Sequence, residues 1–273
     1  MAERRHGLSI VRAPDPSHIV KRFANGLRLV LDRADRGVGL AVQSDGFELN
    51  ELEFIGSVLQ PGQHAIDAGA HAGYFAVHMA ARVGASGTVH AFEPYGPSAD
   101  CLEASVRANG FDDRVVVERA ALGDSGGNVN LVLARTSRNP GSAFIAPAGY
   151  ALDPREQAIS VPSIALDSCA LHRPIAFIKL DVEGSEPLGI AGATRFLAAD
   201  RPAILSEIDG FNLQRVAGVS PREYISRLAA QGYRCRLLGA GVPGEEIFDW
   251  SLSPTVSVVF CLTRRQAAER IRG

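Results

Sequence analysis

Lysine is nearly missing from this 273-residue sequence: Lys21 and Lys179 are its only two, and arginine supplies the rest of the positive charge. That scarcity, beside abundant alanine and glycine, points to the coding bias of a GC-rich bacterial genome. The 28 basic and 30 acidic residues leave a formal charge of -2, which argues against a general polyanion binder and so against nucleic acid as a partner. No run approaches the roughly 18–20 consecutive apolar residues of a membrane span. The first residues show neither a signal peptide nor an anchor, so a cytoplasmic location without membrane contact is expected. Cysteine is sparse as well. Cys101, Cys169, Cys235 and Cys261 stand far apart with no C-x-x-C pair, which excludes a zinc ribbon and speaks against a disulfide framework.

There is ample apolar sequence. Hydrophobic residues make up 46% of the chain, and a chain of this length hides roughly 70–75% of its extended surface on folding. Residues 1–16 are rich in arginine and proline and read as an arm or edge-clinging extension. Residues 26–42 alternate enough for one or two short strands, and 49–59 carry apolar residues at helical spacing up to Pro61-Gly62. Short β-branched or apolar runs then recur at 64–68, 88–92, 115–118, 176–180 and 203–208, with alanine-rich helical stretches between several of them. That alternation predicts an α/β fold, a doubly wound parallel sheet with helices on both faces. Residues 128–167 break the rhythm with two strands, 129–133 and 159–164, around a Gly, Pro and Ser-containing loop. This is an insertion carrying a hairpin or a lid. Two final strands, 233–238 and 256–262, flank GAGVPGEE and suit an antiparallel terminal pair.

The sharpest motif is AIDAGAHAGYF at 65–75, followed by a helical run. A strand entering a glycine-dense turn and then a helix presents free backbone N–H groups and a positive helix end to a ligand. Pyrophosphate fits poorly, because His71 occupies the place of the middle glycine of G-x-G-x-x-G and no Gly-Lys-Ser/Thr follows. A ligand without phosphate remains, whose amino group meets Asp67 while Gly69 and Gly73 let the chain pass close. The methionine part of S-adenosylmethionine has such an ammonium. One βαβ unit later VHAFEP ends in Glu93, where a strand-end carboxylate accepts both ribose hydroxyls, and Pro94 turns the chain away.

IDAGAHAGYF (66–75), VHAFEP (89–94), ERAALGD (118–124), FIKLDVEGSE (177–186) and AILSEI (203–208) form an ordered series. It resembles the FkbM family of class I S-adenosylmethionine-dependent methyltransferases. The resemblance implies a Rossmann-like seven-stranded sheet, mostly parallel with an antiparallel last strand. It also implies that Asp67, Gly69, Gly73 and Glu93 line the cofactor, with S-adenosylhomocysteine as product. Ala121 lies where many class I enzymes use an acid to meet the adenine amine, so backbone contacts replace it. His71 admits three roles: a contact near the methionine carboxylate, a base, or a polar filler.

In Lys179-Leu180-Asp181-Val182-Glu183 a two-residue period puts Lys179, Asp181 and Glu183 on one side if the strand extends that far. Glu183 alternatively just favours a helix start, with Ser185 as cap and Pro187 in the first turn. In a doubly wound sheet the carboxyl strand ends face the ligand, which nominates Asp181 first and Glu207 second as the base for an alcohol acceptor, with Lys179 beside them. A Mg²⁺ ion bridging Asp181, Glu207 or Asp209 suits the same hard oxygens. Glu48 and Glu51 either close over the cofactor or form a solvated helix face. Arg264, Arg265, Arg270 and Arg272 make a basic tail, read as a solvated terminal helix or an anchor for an anionic acceptor. The expected organisation is an accessory segment over 1–47 and one catalytic domain over 48–273. The expected activity is O-methylation of a sugar or secondary-metabolite hydroxyl by a chain that can also self-associate. N-methylation, a non-catalytic cofactor-binding scaffold and a nicotinamide enzyme are the rivals.

Overall fold

The computed structural model describes residues 16–44, 46–136, 138–249 and 255–262. The chain opens with an antiparallel hairpin of β1 (His18–Arg22) and β2 (Arg28–Asp32), turned at Gly26 with φ 88°. Two helices follow, α1 (Val38–Ala41) and α2 (Leu49–Val58), so the stretch 26–42, expected to hold one or two short strands, holds one strand and a short helix. Then come β3 (His64–Ala68), α3 (Tyr74–Val83), β4 (Thr88–Phe92), α4 (Gly96–Asn109) and β5 (Val115–Glu118). After β6 (Ala121–Leu122), the predicted insertion holds β7 (Gly127–Ala134), β8 (Phe144–Ile145) and β9 (Glu156–Ile164). The chain returns through β10 (Ile175–Leu180), α5 (Glu186–Ala191), α6 (Thr194–Asp200), β11 (Ala203–Ile208), α7 (Gly210–Ala217) and α8 (Pro221–Ala229). It closes with β12 (Tyr233–Gly239), β13 (Val242–Glu246) and β14 (Val256–Leu262).

The main sheet has the order β13-β12-β14-β11-β10-β3-β4-β5. Strands β11, β10, β3, β4 and β5 pair in parallel, and β14 runs antiparallel to both β11 and β12. The sheet thus has eight strands where seven were expected. Ala240 and Gly241, with φ 48° and 70°, form a two-residue turn that folds β13 back on β12. Positive φ at both central positions gives the twist a tight hairpin needs, so most of GAGVPGEE is strand, not loop.

Alternate residues along each central strand face opposite cores. Ala65, Phe177, Leu205 and Val259 lie in one, and Ile66, Ile178, Ile204 and Val258 in the other. The N-terminal hairpin shares the first core through Leu29 and Leu31. Its free edge is satisfied by α4: Arg28 N–H donates to Asn109 Oδ1 at 2.9 Å and Val30 N–H to Ser105 Oγ at 2.9 Å. The insertion is a second sheet, β6-β9-β7-β8, rather than a bare hairpin, with a small core of Leu131, Val132, Phe144, Ile145 and Val161. Among the described residues no helix is long and apolar enough to cross a membrane. The arm expected over residues 1–16, except Pro16, and the arginines of the tail lie outside the described residues.

Candidate active site

Chain order reverses between β3 and β10, and at the carboxyl ends of these strands lies a cavity of about 350 Å³, within the ~300–1,000 Å³ common for small-molecule sites. Its floor is made of strand-end loops, 69–71 after β3, 93–95 after β4 and 181–183 after β10, with Ala120 and β6 beside them. The N–H groups of Gly69 and Ala70 both donate to the Phe92 carbonyl at 3.0 Å, which ties the first two loops together. Gly69 has φ 80°, and a Cβ there would overlap the Asp181 carbonyl. Glycine is therefore what lets this loop cross the end of β10.

Glu93 is gripped at both oxygens. His71 N–H donates to Oε2 and Tyr95 N–H to Oε1, each at 2.8 Å. The residue is 6% exposed, and burial pushes its carboxyl group up to about 7 against the pull of those two amides. The His71 imidazole lines the cavity, with Nε2 3.4 Å from Asp35 Oδ2. Asp35 in turn accepts from the N–H groups of Gly37 and Gly39 at 2.8 Å. Burial lowers the imidazole pKa, with Asp35 opposing, so the ring is mainly neutral at pH 7.

At the other end of the cavity Asp181, Glu183 and Glu207 each bring a carboxylate oxygen within 4.8 Å of the others. Lys179 Nζ donates to Asp181 Oδ2 at 2.6 Å and lies 4.5 Å from the centre of the Phe75 ring. Burial works against the Lys179 charge, yet Asp181, Glu48 and Asp67 together hold it above the usual lysine range. Burial, then the charge of Asp181, pushes Glu207 up to about 9 and Glu183 up to about 8. Glu48 rises to about 7, mainly by burial. Glu183 has φ 55°, and its Oε2 accepts from Asn212 Nδ2 at 2.8 Å. The buried Glu186 braces the turn, accepting from Val182 N–H at 2.9 Å and Gly184 N–H at 3.3 Å.

Two covers close over this floor. Gly37, Val38, Ala41, Phe47 and Glu48 come from the N-terminal segment, and Leu131, Asn139, Pro140, Gly141, Ala143 and Ile145 from the insertion. They interlock: a Cβ on Gly37 would overlap the Asn139 side chain, one on Gly141 would lie 2.6 Å from Val38 Cγ2, and Arg36 N–H donates to the Arg138 carbonyl.

Gly69, His71, Glu93, Pro94, Ala121, Lys179, Asp181 and Glu207 thus line one cavity. Asp67 and Gly73 are not among its lining residues. Asp67 is fully buried, and burial pushes it up to about 6, with Lys179 and the Ala76 main chain opposing. Its register partner is Lys179 on the neighbouring strand, so the pleat puts the two side chains on one face of the sheet. A Cβ on Gly73 would meet Leu102 Cδ1 at 2.7 Å, so that glycine serves the packing of α3 on α4. Asp209 is not in the carboxylate cluster, which takes Glu183 instead; it caps α7, accepting from Asn212 N–H at 2.8 Å. Ser185 occupies the N-cap of α5 without a cap hydrogen bond. Glu51 accepts from Ser257 Oγ at 2.7 Å and stays out of the cavity that Glu48 enters. The sequence reading missed Asp35, Tyr95 and Asn139. Only Tyr95, next to Glu93-Pro94, had a local signal.

The family described as the methyltransferase FkbM domain matches residues 67–235, more than half of the chain. This chain belongs to the FkbM methyltransferase family. The matched part of this FkbM chain holds the glycine loop, Glu93, the insertion and the carboxylate cluster, and leaves β1, β2, α1 and α2 outside. No curated protein matches the sequence significantly. Similar solved structures include an FkbM methyltransferase from Methylobacillus flagellatus, at 15% identity and a TM-score of 0.47, covering 77% of this chain and 50% of that one. An S-adenosylmethionine-dependent O-methyltransferase from Thermotoga maritima has 13% identity and a TM-score of 0.44 over 90% of this chain and 78% of that one. An rRNA methylase from Streptococcus thermophilus has 12% identity and a TM-score of 0.42 over 78% and 95%. At these similarities no substrate carries over to the FkbM chain described here.

Proposed function

We propose that this FkbM chain transfers a methyl group from S-adenosylmethionine to a hydroxyl oxygen of a small molecule, a sugar or a secondary metabolite. The observation that carries the reading is Glu93: a buried carboxylate fixed at both oxygens by backbone amides, in the wall of the cavity that also holds Asp181. Its remaining lone pairs suit a ribose diol. Gly69 supplies the close main-chain approach, and Tyr95, Ala121 and Leu122 supply an apolar wall for an adenine. When bound, S-adenosylmethionine supplies a methyl group already activated on a positively charged sulfur.

The residues then have little to do beyond alignment and one proton transfer. Asp181 is the better base of the two candidates. Lys179 engages only Oδ2, leaving Oδ1 for the acceptor hydroxyl. Glu207, pushed up to about 9, keeps its own proton near neutrality. The N-terminal cover and the insertion exclude water and shape the acceptor half. The near-neutral charge of the chain supports a small molecule over nucleic acid.

Calorimetric titration with S-adenosylhomocysteine, NAD and ATP tests the cofactor assignment. Binding of the first alone is expected; binding of NAD without S-adenosylhomocysteine would overturn the reading. A cofactor-consumption screen over hydroxylated small molecules then identifies the acceptor.

A further inference from the structure

The acidic end of the cavity is not self-satisfied. Lys179 serves Oδ2 of Asp181 and Asn212 serves Oε2 of Glu183, but among the described residues no donor reaches Glu183 Oε1 or either carboxylate oxygen of Glu207. Ser185, which lines the same cavity, is 1% exposed, and among the described residues its hydroxyl has no hydrogen-bond partner. A buried hydroxyl left unpaired in the wall of the cavity that also holds two unserved carboxylates needs a partner from outside the chain.

We propose that the methyl acceptor carries an ammonium group beside the hydroxyl that is methylated, as a vicinal amino alcohol of the amino-sugar kind does, and that Glu183, Glu207 and Ser185 hold that ammonium. This rests on the O-methyl transfer reading above. An ammonium has three N–H donors and no acceptor; its charge favours the ionised forms of Glu183 and Glu207, which burial and the charge of Asp181 otherwise keep protonated, so with it in place the cluster offers two carboxylates and a hydroxyl oxygen. Held there, the nitrogen keeps its proton and has no lone pair to give, so it is not the nucleophile. The cluster's carboxylate oxygens lie within 4.8 Å of one another, a span that substituents on neighbouring carbons bridge, which brings the adjacent hydroxyl to Asp181. There the oxygen–carbon bond forms as the carbon–sulfur bond breaks, the electron pair stays on sulfur and the hydroxyl proton passes to Asp181. A divalent metal ion suits the cluster less well. It would share Asp181 with the Lys179 ammonium and face twice the repulsion that a monovalent cation meets.

Calorimetry on the protein saturated with S-adenosylhomocysteine tests this with glucosamine, galactosamine and 2-aminocyclohexanol, each against its N-acetylated form, and with Mg²⁺. At least one free amine should bind ten or more times tighter than its acetylated partner. Glu183→Gln and Glu207→Gln should each remove that preference while S-adenosylhomocysteine affinity stays within about threefold, which also reports that the variants are folded. Equal binding of amine and acetamide, no binding of any amine, a preference that survives both variants, or Mg²⁺ displacing the amine would each overturn the proposal. Failure to bind S-adenosylhomocysteine would instead defeat the cofactor assignment on which it rests.

Discussion

Replacing Glu93 by glutamine should divide the ligand role of this residue from its structural cost. The carboxyl group rises from 4.5 to about 7 on burial, so the fold binds its proton more tightly than the unfolded chain does. The sign follows: its contribution favours folding below pH 4.5 and is lost as pH rises through about 7. A shift of that size is worth on the order of 3 kcal/mol, and glutamine removes it. Against this, the amide can accept only one of the two N–H groups from His71 and Tyr95, and leaving the other unpaired costs about 1–3 kcal/mol. Glu93→Gln should therefore destabilise the protein by that cost at pH 5 and leave it nearly unchanged at pH 8. Cofactor affinity behaves differently. Losing hydrogen bonds from a ribose to a charged acceptor, at about 1.5–3 kcal/mol, should weaken S-adenosylhomocysteine ten- to a hundredfold at pH 8. Urea unfolding at both pH values and calorimetry at pH 8 measure the two effects. A change in affinity below threefold would remove the ribose assignment, and equal destabilisation at both pH values would refute the burial argument.

Gly69→Ala meets the Asp181 main chain at a φ of 80° with no side chain to move aside. The left-handed conformation costs about 1–2 kcal/mol and the overlap about 1–3 more, which should lower Tm by roughly 4 °C or more. Gly96→Ala, whose Cβ meets nothing within 4 Å, is the control and should stay within about 1 °C. Asp181→Asn should lower kcat at least tenfold while S-adenosylhomocysteine affinity changes less than threefold; parallel losses would make Asp181 a cofactor ligand instead. Burial, then His172 and His64, lowers His90 to about 4. Its neutral form supports the fold above pH 6.5, and that support is lost as pH falls toward 4. His90→Gln should flatten the acid side of a Tm-against-pH curve, and an unaltered curve would show that other groups govern it.

Strands β3, β4, β5 and β11 were legible residue for residue, because each is a short apolar or β-branched run bounded by turn residues. The rim of the cavity was legible for the same reason: Glu93, Asp181 and Glu207 stand at or just past strand ends, and the topology of a doubly wound sheet gathers such ends. Asp67 shows where motif reasoning stops. Its place in D-x-G-x-x-x-G suggests ligand contact, but the pleat puts it on the face shared with Lys179, where it is fully buried. The contacts of His71 with Asp35 and of Gly37 with Asn139 join segments far apart in sequence. No local pattern announces them; they exist only once the covers are packed.

The interlocked covers have a consequence for how such an enzyme changes its chemistry over time. One half of the mouth belongs to the matched FkbM stretch and the other to a segment ahead of it. Gly37 and Gly141 mesh with Asn139 and Val38 instead of with the strand-end floor of the cavity. New loops grafted at either side of that joint would redraw the mouth of the cavity while Gly69 and Glu93 kept their partners, so the mouth can change while the strand ends beneath it stay constant.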